Sequence, residues 1–484
     1  MRPKLELLDK PLVDRILGEA FQLIREPGVR VASCAIEVLR SAGVEVKDGV
    51  AHIPEKVARA ALVTVASEFF LYDRAGHPAV HYGGDHVHFD PGSSCLNILD
   101  SETQKPRPAD SADLVRLVQV ADMLPQYAAQ STAMVCNDVP QEMGDWYRLL
   151  LVLLHSNKPV VTGAFSGATL QTMLELLAID GGGREVMRTK PRAVFDVCPS
   201  PPLNWSEFAS ANITELARAG VPAEIVSMPL AGATAPVTLA GSVVQHAAEC
   251  ISGITIHQLV SPGAPIVWGA APAIFDMRTG RTPMGAIETV MLDLACAQVG
   301  KSLNVPTHGY LVAGDGKLID AQTEMESGIS AILGALGGVN MISGAGMLDF
   351  LACHSIEKLV IDAEAIASAQ RLLEGIEPHT ESLALAMFAQ TGLHGDFLKL
   401  KETRALFRSE QHFPSEVIDR GGISDATDIL TRAQRRVDDL VSTYQRPAIA
   451  TEHEEALLEF AARQARTAGV TELAALMNTG VASR

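Results

Sequence analysis

Residues Asn304 to Leu348 read N-V-P-T-H-G-Y-L-V-A-G-D-G-K-L-I-D-A-Q-T-E-M-E-S-G-I-S-A-I-L-G-A-L-G-G-V-N-M-I-S-G-A-G-M-L. A short apolar piece after Pro306 runs into a turn with Gly314 and Gly316 that also carries Asp315, Lys317, Asp320 and Gln322. A helical pattern from Ala321 to Leu336 follows, stopped by Gly337-Gly338, and Val339 to Ile342 ends in a second glycine turn. Strand, polar loop, helix, strand, polar loop is the grammar of a parallel α/β unit. In such folds the loops that leave the C-terminal ends of strands carry the chemistry. The polar cluster around Asp315 therefore sits where an active site is expected.

The same alternation extends in both directions. Strand candidates are Ala128 to Val135, Pro159 to Gly163, Ala193 to Cys198, Glu224 to Met228, Pro265 to Gly269, Val305 to Tyr310, Val339 to Ile342 and Lys358 to Ile361. Helical patterns separate them, and eight strands with intervening helices predict an α/β fold of the (β/α)8 TIM-barrel kind. Ahead of it, residues 1–109 read as helices followed by short period-two strands, among them His86 to Phe89, expected to be antiparallel hairpins packed on the barrel. Residues 110–381 are the expected catalytic barrel, and 382–484 a charged helical extension.

With 47% apolar residues the chain of 484 can bury a sizeable core. Its net charge of −18 disfavours nucleic acid and anionic lipid as partners. Three long uncharged spans, 225–248, 250–275 and 327–348, are broken by prolines or glycines and read as buried sheet and helix, so no membrane span is expected. The N-terminus M-R-P-K-L-E-L-L-D-K has no apolar h-region, which predicts a cytoplasmic protein. The seven cysteines show no C-x-x-C spacing and read as reduced core residues; no metal site is expected. His86-x-His88 is better explained as edge-strand surface than as a ligand pair.

Taken from the residues alone, Lys317 is a Schiff-base nucleophile if desolvated, or an ion-paired loop lysine if not. Asp315 and Asp320 could alternatively hold a cation. These readings leave open a lysine-dependent lyase on the same barrel and a non-catalytic binding protein.

Longer phrases narrow the choice. They are P-L-A-G-A-T-A-P-V-T-L-A-G at Pro229 to Gly241, P-G-A-P-I-V-W-G at Pro262 to Gly269, D-M-R-T-G at Asp276 to Gly280, D-G-K-L-I-D-A-Q at Asp315 to Gln322 and H-S-I-E-K-L-V-I-D at His354 to Asp362. With L-Y-D-R at Leu71 to Arg74, the chain resembles the trimethylamine methyltransferase family, and within it the members without pyrrolysine, such as glycine betaine:corrinoid methyltransferases. The resemblance implies a barrel that passes a methyl group to the cobalt(I) of a separate corrinoid protein, with the corrinoid supplied by that partner. It also implies a homo-oligomer. Asp315 and Lys317 match the segment that follows the pyrrolysine of other members, which puts its counterpart at Ala313 or Gly314.

Small ordinary residues there imply a substrate whose nitrogen is already quaternary, since that nitrogen leaves as a neutral tertiary amine. Glycine betaine or a relative is the expected substrate. Asp315, Lys317 and His308 are the expected catalytic residues. Phe195, Gln258, Trp268, Tyr310, Gly314, Phe350 and His354 are expected to contact substrate: aromatic faces for the cation, and donors such as His354 or His308 for its carboxylate.

Overall fold

The structure is a computed structural model that describes residues 2–471 and 473, apart from 166, 380, 394 and 423–425. Eight parallel strands form its centre: β1 (His88–Pro91), β2 (Gln130–Ser131), β3 (Val160–Gly163), β4 (Ala193–Val197), β5 (Ala223–Ser227), β6 (Ile266–Ala270), β7 (Thr307–Tyr310) and β8 (Met341–Ala345). They are hydrogen-bonded in the order β1-β8-β7-β6-β5-β4-β3-β2. The remaining seam is bridged by Ala128 N–H to the Phe89 carbonyl at 2.9 Å and Ser131 Oγ to the Gly92 carbonyl at 2.9 Å. A helix follows each strand: α1 (Ser111–Met123), α2 (Gly144–His155), α3 (Gly167–Gly181), α4 (Glu207–Ala219), α5 (Leu239–Val260), α6 (Ile287–Ser302), α7 (Ala321–Gly337) and α8 (Ile356–Glu374). The (β/α)8 barrel is thus the fold.

Seven of the eight expected strands are barrel strands; the eighth is not. Lys358 to Ile361 lies in the first turns of α8, where the Ser355 hydroxyl accepts the Lys358 N–H at 3.2 Å and Glu357 sits in the first turn. A short apolar run does not distinguish a strand from a fully buried helix, and here the cap decides. The missing strand is β1, in the stretch read as an antiparallel hairpin. It pairs in parallel with β8, Met341 opposite His88 and Ile342 opposite Phe89. Barrel structure therefore begins on the N-terminal side of residue 110.

The period of two sorts each strand into an inner and an outer face. In β4, Val194 and Asp196 point inward, while Phe195 faces the helices; in β6, Val267 and Gly269 point inward and Trp268 outward. The register places Asp196 beside Glu224, Glu224 beside Val267, and Tyr310 beside Ser343. At the N-terminal ends the interior is closed by a plug. The antiparallel hairpin Glu68–Tyr72/Pro78–Gly83 inserts Leu71, Val80 and Tyr82 against Ala129, Val161, Val194, Val267 and Met341, all buried. No helix among the described residues is long and apolar enough to cross a membrane.

Candidate active site

Above the apolar plug the inward positions turn polar. Asp90 from β1, Asp196 from β4, Glu224 from β5, His308 and Tyr310 from β7 and Ser343 from β8 converge in the barrel, all buried but Asp196, which is partly exposed. They touch one another in sequence, through hydrogen bonds on either side of Glu224. Ser93 Oγ lies 3.1 Å from the Tyr310 hydroxyl, which donates to Asp196 Oδ2 at 3.1 Å. Asp196 and Glu224 face each other across the β4–β5 register, and Glu224 Oε1 contacts His308 Nδ1. His308 Nε2 lies 2.8 Å from Ser343 Oγ, which donates to Asp90 Oδ1 at 2.5 Å.

Because Ser343 gives its proton to Asp90, Nε2 of His308 is the donor to Ser343. Nδ1 is then the unprotonated nitrogen, and it faces the Glu224 carboxyl. The electrostatics agree. Burial lowers His308 to about 4, so its imidazole is neutral at pH 7. Burial raises Asp196 to about 8, with the neighbouring Glu224 carboxyl adding to the shift. Glu224 and Asp90 are pushed well above the usual carboxylate range, again by burial first. Three carboxyl groups in one apolar-walled space cannot all ionise.

Tyr310 and His308 are the two expected residues that reach this cluster, their rings in edge contact at 5.0 Å between centroids. Asp315, Gly314, Lys317 and Phe350 lie together in the loops above β7 and β8. Asp315 is a clamp: its carboxylate accepts the backbone N–H groups of Met284 and Gly285 at 2.8 and 2.9 Å, tying the loop after β7 to the loop after β6. Burial lifts its carboxyl to about 6 despite those two donors. Asp320 caps α7 through the N–H groups of Gln322 and Thr323.

Lys317 is 59% exposed along its side chain, 3.5 Å from Asp349, with its ammonium 3.9 Å from the centre of the Phe350 ring. It therefore lacks the desolvation that a Schiff-base amine needs, and Phe350 spends its face on that ammonium. Gly314 does not open onto spare room: a Cβ there would stand 2.7 Å from Thr323 Cγ2, so the space beside it is filled by the start of α7.

Four further expected residues stand apart from this cluster. Phe195 and Trp268 are on the outer faces of β4 and β6, in the sheet–helix core, with Trp268 tilted against the His246 ring at 5.7 Å. Gln258 lies in the last turn of α5, at the N-terminal end of the barrel. There it accepts from Thr64 Oγ1 and the Gly263 N–H and donates to the Ala264 carbonyl at 2.8 Å. His354 is buried against Gly346, and burial drives its imidazole down to about 3, so it is a neutral ring in a packed place rather than a cationic donor.

The cluster members that the sequence reading missed are Asp90, Asp196, Glu224 and Ser343. Their one sequence signal is a lone carboxylate inside an apolar strand run, as in A-V-F-D-V at Ala193 to Val197 and A-E-I-V-S at Ala223 to Ser227. Beside the cluster the mouth opens into a cleft of about 690 Å³, lined among others by Leu96, Cys136, Asn137, Arg148 and Phe165. Arg148 in that lining donates to Ser94 Oγ and the Thr132 carbonyl, both at 3.1 Å.

A (β/α)8 barrel plugged at one end, with a cluster of carboxyl groups facing its C-terminal mouth, has the architecture of a barrel enzyme. Comparison with known proteins specifies the kind. The chain belongs to the trimethylamine methyltransferase (MTTB) family, whose profile matches residues 1–469. It is 30% identical over 443 residues to the trimethylamine methyltransferase MttB of Methanosarcina thermophila, covering 88% of this chain and 90% of that one. It is 28% identical over 405 residues to MttB of Desulfitobacterium hafniense (strain DSM 10664 / DCB-2), covering 83% and 81%. It is 26% identical over 475 residues to the glycine betaine methyltransferase of D. hafniense (strain Y51), covering 96% and 98%. Among solved structures the monomethylamine methyltransferase MtmB of Methanosarcina barkeri shares the fold, with a TM-score of 0.55, 11% identity, and coverage of 96% of this chain and 89% of MtmB. The protein is a methyltransferase of this family.

Proposed function

We propose that this methyltransferase takes a methyl group from a quaternary amine, glycine betaine or a close relative, and delivers it to the cob(I)alamin of a separate corrinoid protein. The observation that carries the reading is the largely buried cluster of Asp90, Asp196 and Glu224 beside the Tyr310 ring. A quaternary ammonium has no N–H to donate, so recognition falls to charge and to aromatic faces. An acidic, water-poor space with one tyrosine at its edge offers both. Burial makes the charge term strong, because low dielectric amplifies it.

The partner's cob(I)alamin supplies the nucleophile. The chain's own contribution is then to hold the methyl carbon in line with it and to stabilise the charge that moves. With ordinary residues at Ala313 and Gly314, nothing at those positions can turn an uncharged tertiary amine into a quaternary one. A substrate that is quaternary from the start needs no such step. The mouth fits a docked partner: Leu96, Phe165, Val237, Met277 and Leu318 stand on five different loops at the C-terminal ends of the strands, each more than half exposed. No covalent lysine is required, and the exposed Lys317 does not favour one.

Methylation of free or protein-bound cob(I)alamin, assayed against a panel of quaternary amines, tests the proposal. Turnover is expected with glycine betaine or a relative and none with trimethylamine. Equal turnover of trimethylamine, or inactivity of every quaternary amine with a competent acceptor present, overturns it. Retention of stoichiometric corrinoid by the purified chain alone would contradict the separate carrier.

A further inference from the structure

The helix Ile429–Thr443 packs on the outside of α1 and α8. Asp438 ties it to α1 by accepting from Arg116 at 3.0 Å, and just before it the Ser415 N–H donates to the Glu364 carboxylate of α8 at 3.2 Å. Its buried side is Ala433, Val437 and Leu440. Arg432, Arg435, Arg436 and Asp439 stand at i, i+3, i+4 and i+7, so an adjoining face gathers three guanidinium groups. With Ser415, Glu416 and Thr427 these four residues line a cavity of about 380 Å³.

Like charges three and four positions apart destabilise a helix, and elsewhere this chain answers its helical arginines. Arg59 pairs with Glu55, Arg218 with Glu215 and Arg463 with Glu459, each carboxylate three or four residues ahead. At this cavity the answer is missing. Arg432 gives its donors to neutral groups, the Val417 carbonyl at 2.8 Å and the Thr427 carbonyl. Arg435 and Arg436 make no side-chain hydrogen bond or ion pair with any described residue, and Arg436 Nε is buried without a partner. Glu416 and Asp439 line the same space without pairing with them. Three guanidinium groups against two carboxylates leave the cavity positive in a chain of net −18.

We infer that this cavity binds a small phosphate ester. A phosphate offers charge and acceptors together, and planar guanidinium forks take its oxygens two at a time. The two carboxylates make the ligand more than a bare anion: they repel free phosphate but accept from hydroxyl groups carried beside it. A cavity of this size has room for both ends of such a molecule. It shares no residue with the carboxyl cluster or the mouth, so the inference does not depend on the amine.

The test is calorimetry on the full-length protein with ribose 5-phosphate, with inorganic phosphate, and with potassium chloride at matched ionic strength. Ribose 5-phosphate is expected to bind more tightly than inorganic phosphate, and chloride not to compete. Arg435→Gln/Arg436→Gln should weaken the ester by roughly tenfold to a hundredfold, whereas Arg463→Gln on another helix should bind as the wild type does. Glu416→Gln/Asp439→Asn keeps the arginines and should narrow the gap between ester and inorganic phosphate. A wild type indifferent to ribose 5-phosphate overturns the inference. So does binding that the double arginine variant retains or that Arg463→Gln also loses, inorganic phosphate held as tightly as the ester, or a gap that the carboxylate variant leaves unchanged.

Discussion

At the scale of single residues, if the proposed amine binds among Tyr310, Asp196, Glu224, His308 and Asp90, binding and protonation become one equilibrium. Asp196 is protonated below about pH 8, so a cation that enters must expel a proton to gain its counter-charge. The sign follows: affinity for glycine betaine should rise with pH up to about 8 and then level off, by at most about tenfold per pH unit for one released proton. Calorimetry in buffers of different ionisation enthalpy would register that proton; a flat pH profile from 6 to 8 would refute the linkage. Asp196→Asn keeps the shape and removes the charge. It should weaken betaine binding by tenfold or more, about 1.4 kcal/mol, and flatten the profile. Tyr310→Phe keeps the ring and should cost less.

Much of this was hidden from the sequence for a physical reason. Asp90, Asp196 and Glu224 come from three different strands and share no recognisable spacing; Asp196 and Glu224 meet across neighbouring strands, and only closure of the barrel brings Asp90 to them. Tyr310 and His308 were legible because they stand two apart at the end of a strand. Phe195 and Trp268 misled because a strand shows its period but not which face is inside, and an aromatic serves the sheet–helix core as readily as a pocket.

At the scale of elements, the loop from Gly314 to Asp320 was placed correctly by its strand–loop–helix grammar, yet its residues work as joinery. Asp315 satisfies two backbone N–H groups of the preceding loop, and Asp320 caps α7. The glycines are dictated by Thr323: a Cβ at Gly316 would fall 1.9 Å from its hydroxyl oxygen. Gly316→Ala should therefore destabilise by about 1–3 kcal/mol, and Thr323→Ala in the same chain should recover part of that loss. Additive losses in the double variant, read as thermal midpoints, would mean that the two residues do not compete for space. Asp315→Ala should cost about 1–3 kcal/mol for each N–H group left without an acceptor. It should also loosen the mouth, which proteolysis in the loop after β6 would report. The strand read at Lys358 to Ile361 shows the limit of periodicity, since a helix buried on all sides has none to read.

At the scale of the whole molecule, the barrel was readable from its alternation, but its first strand and its floor were not. The hairpin that forms the floor reads locally as an ordinary two-stranded ribbon; that it enters the barrel is a long-range fact. Leu71 is fully buried in that floor, and Leu71→Ala should cost about 2–5 kcal/mol through the cavity it leaves. A thermal shift near zero would show that the hairpin is an ornament.

The floor also decides traffic. A vessel sealed below has a single doorway, and whatever arrives to collect the methyl group stands in it. Under the proposed reaction, the demethylated amine waits inside until the carrier steps away, so departures are queued behind an undocking event. Raising the concentration of the methylated carrier should then slow release of the amine in rapid-quench experiments, while substitution of exposed doorway side chains such as Met277→Asp should speed release even as it weakens docking. An amine that escapes at the same rate whatever the carrier concentration would mean that a second exit exists.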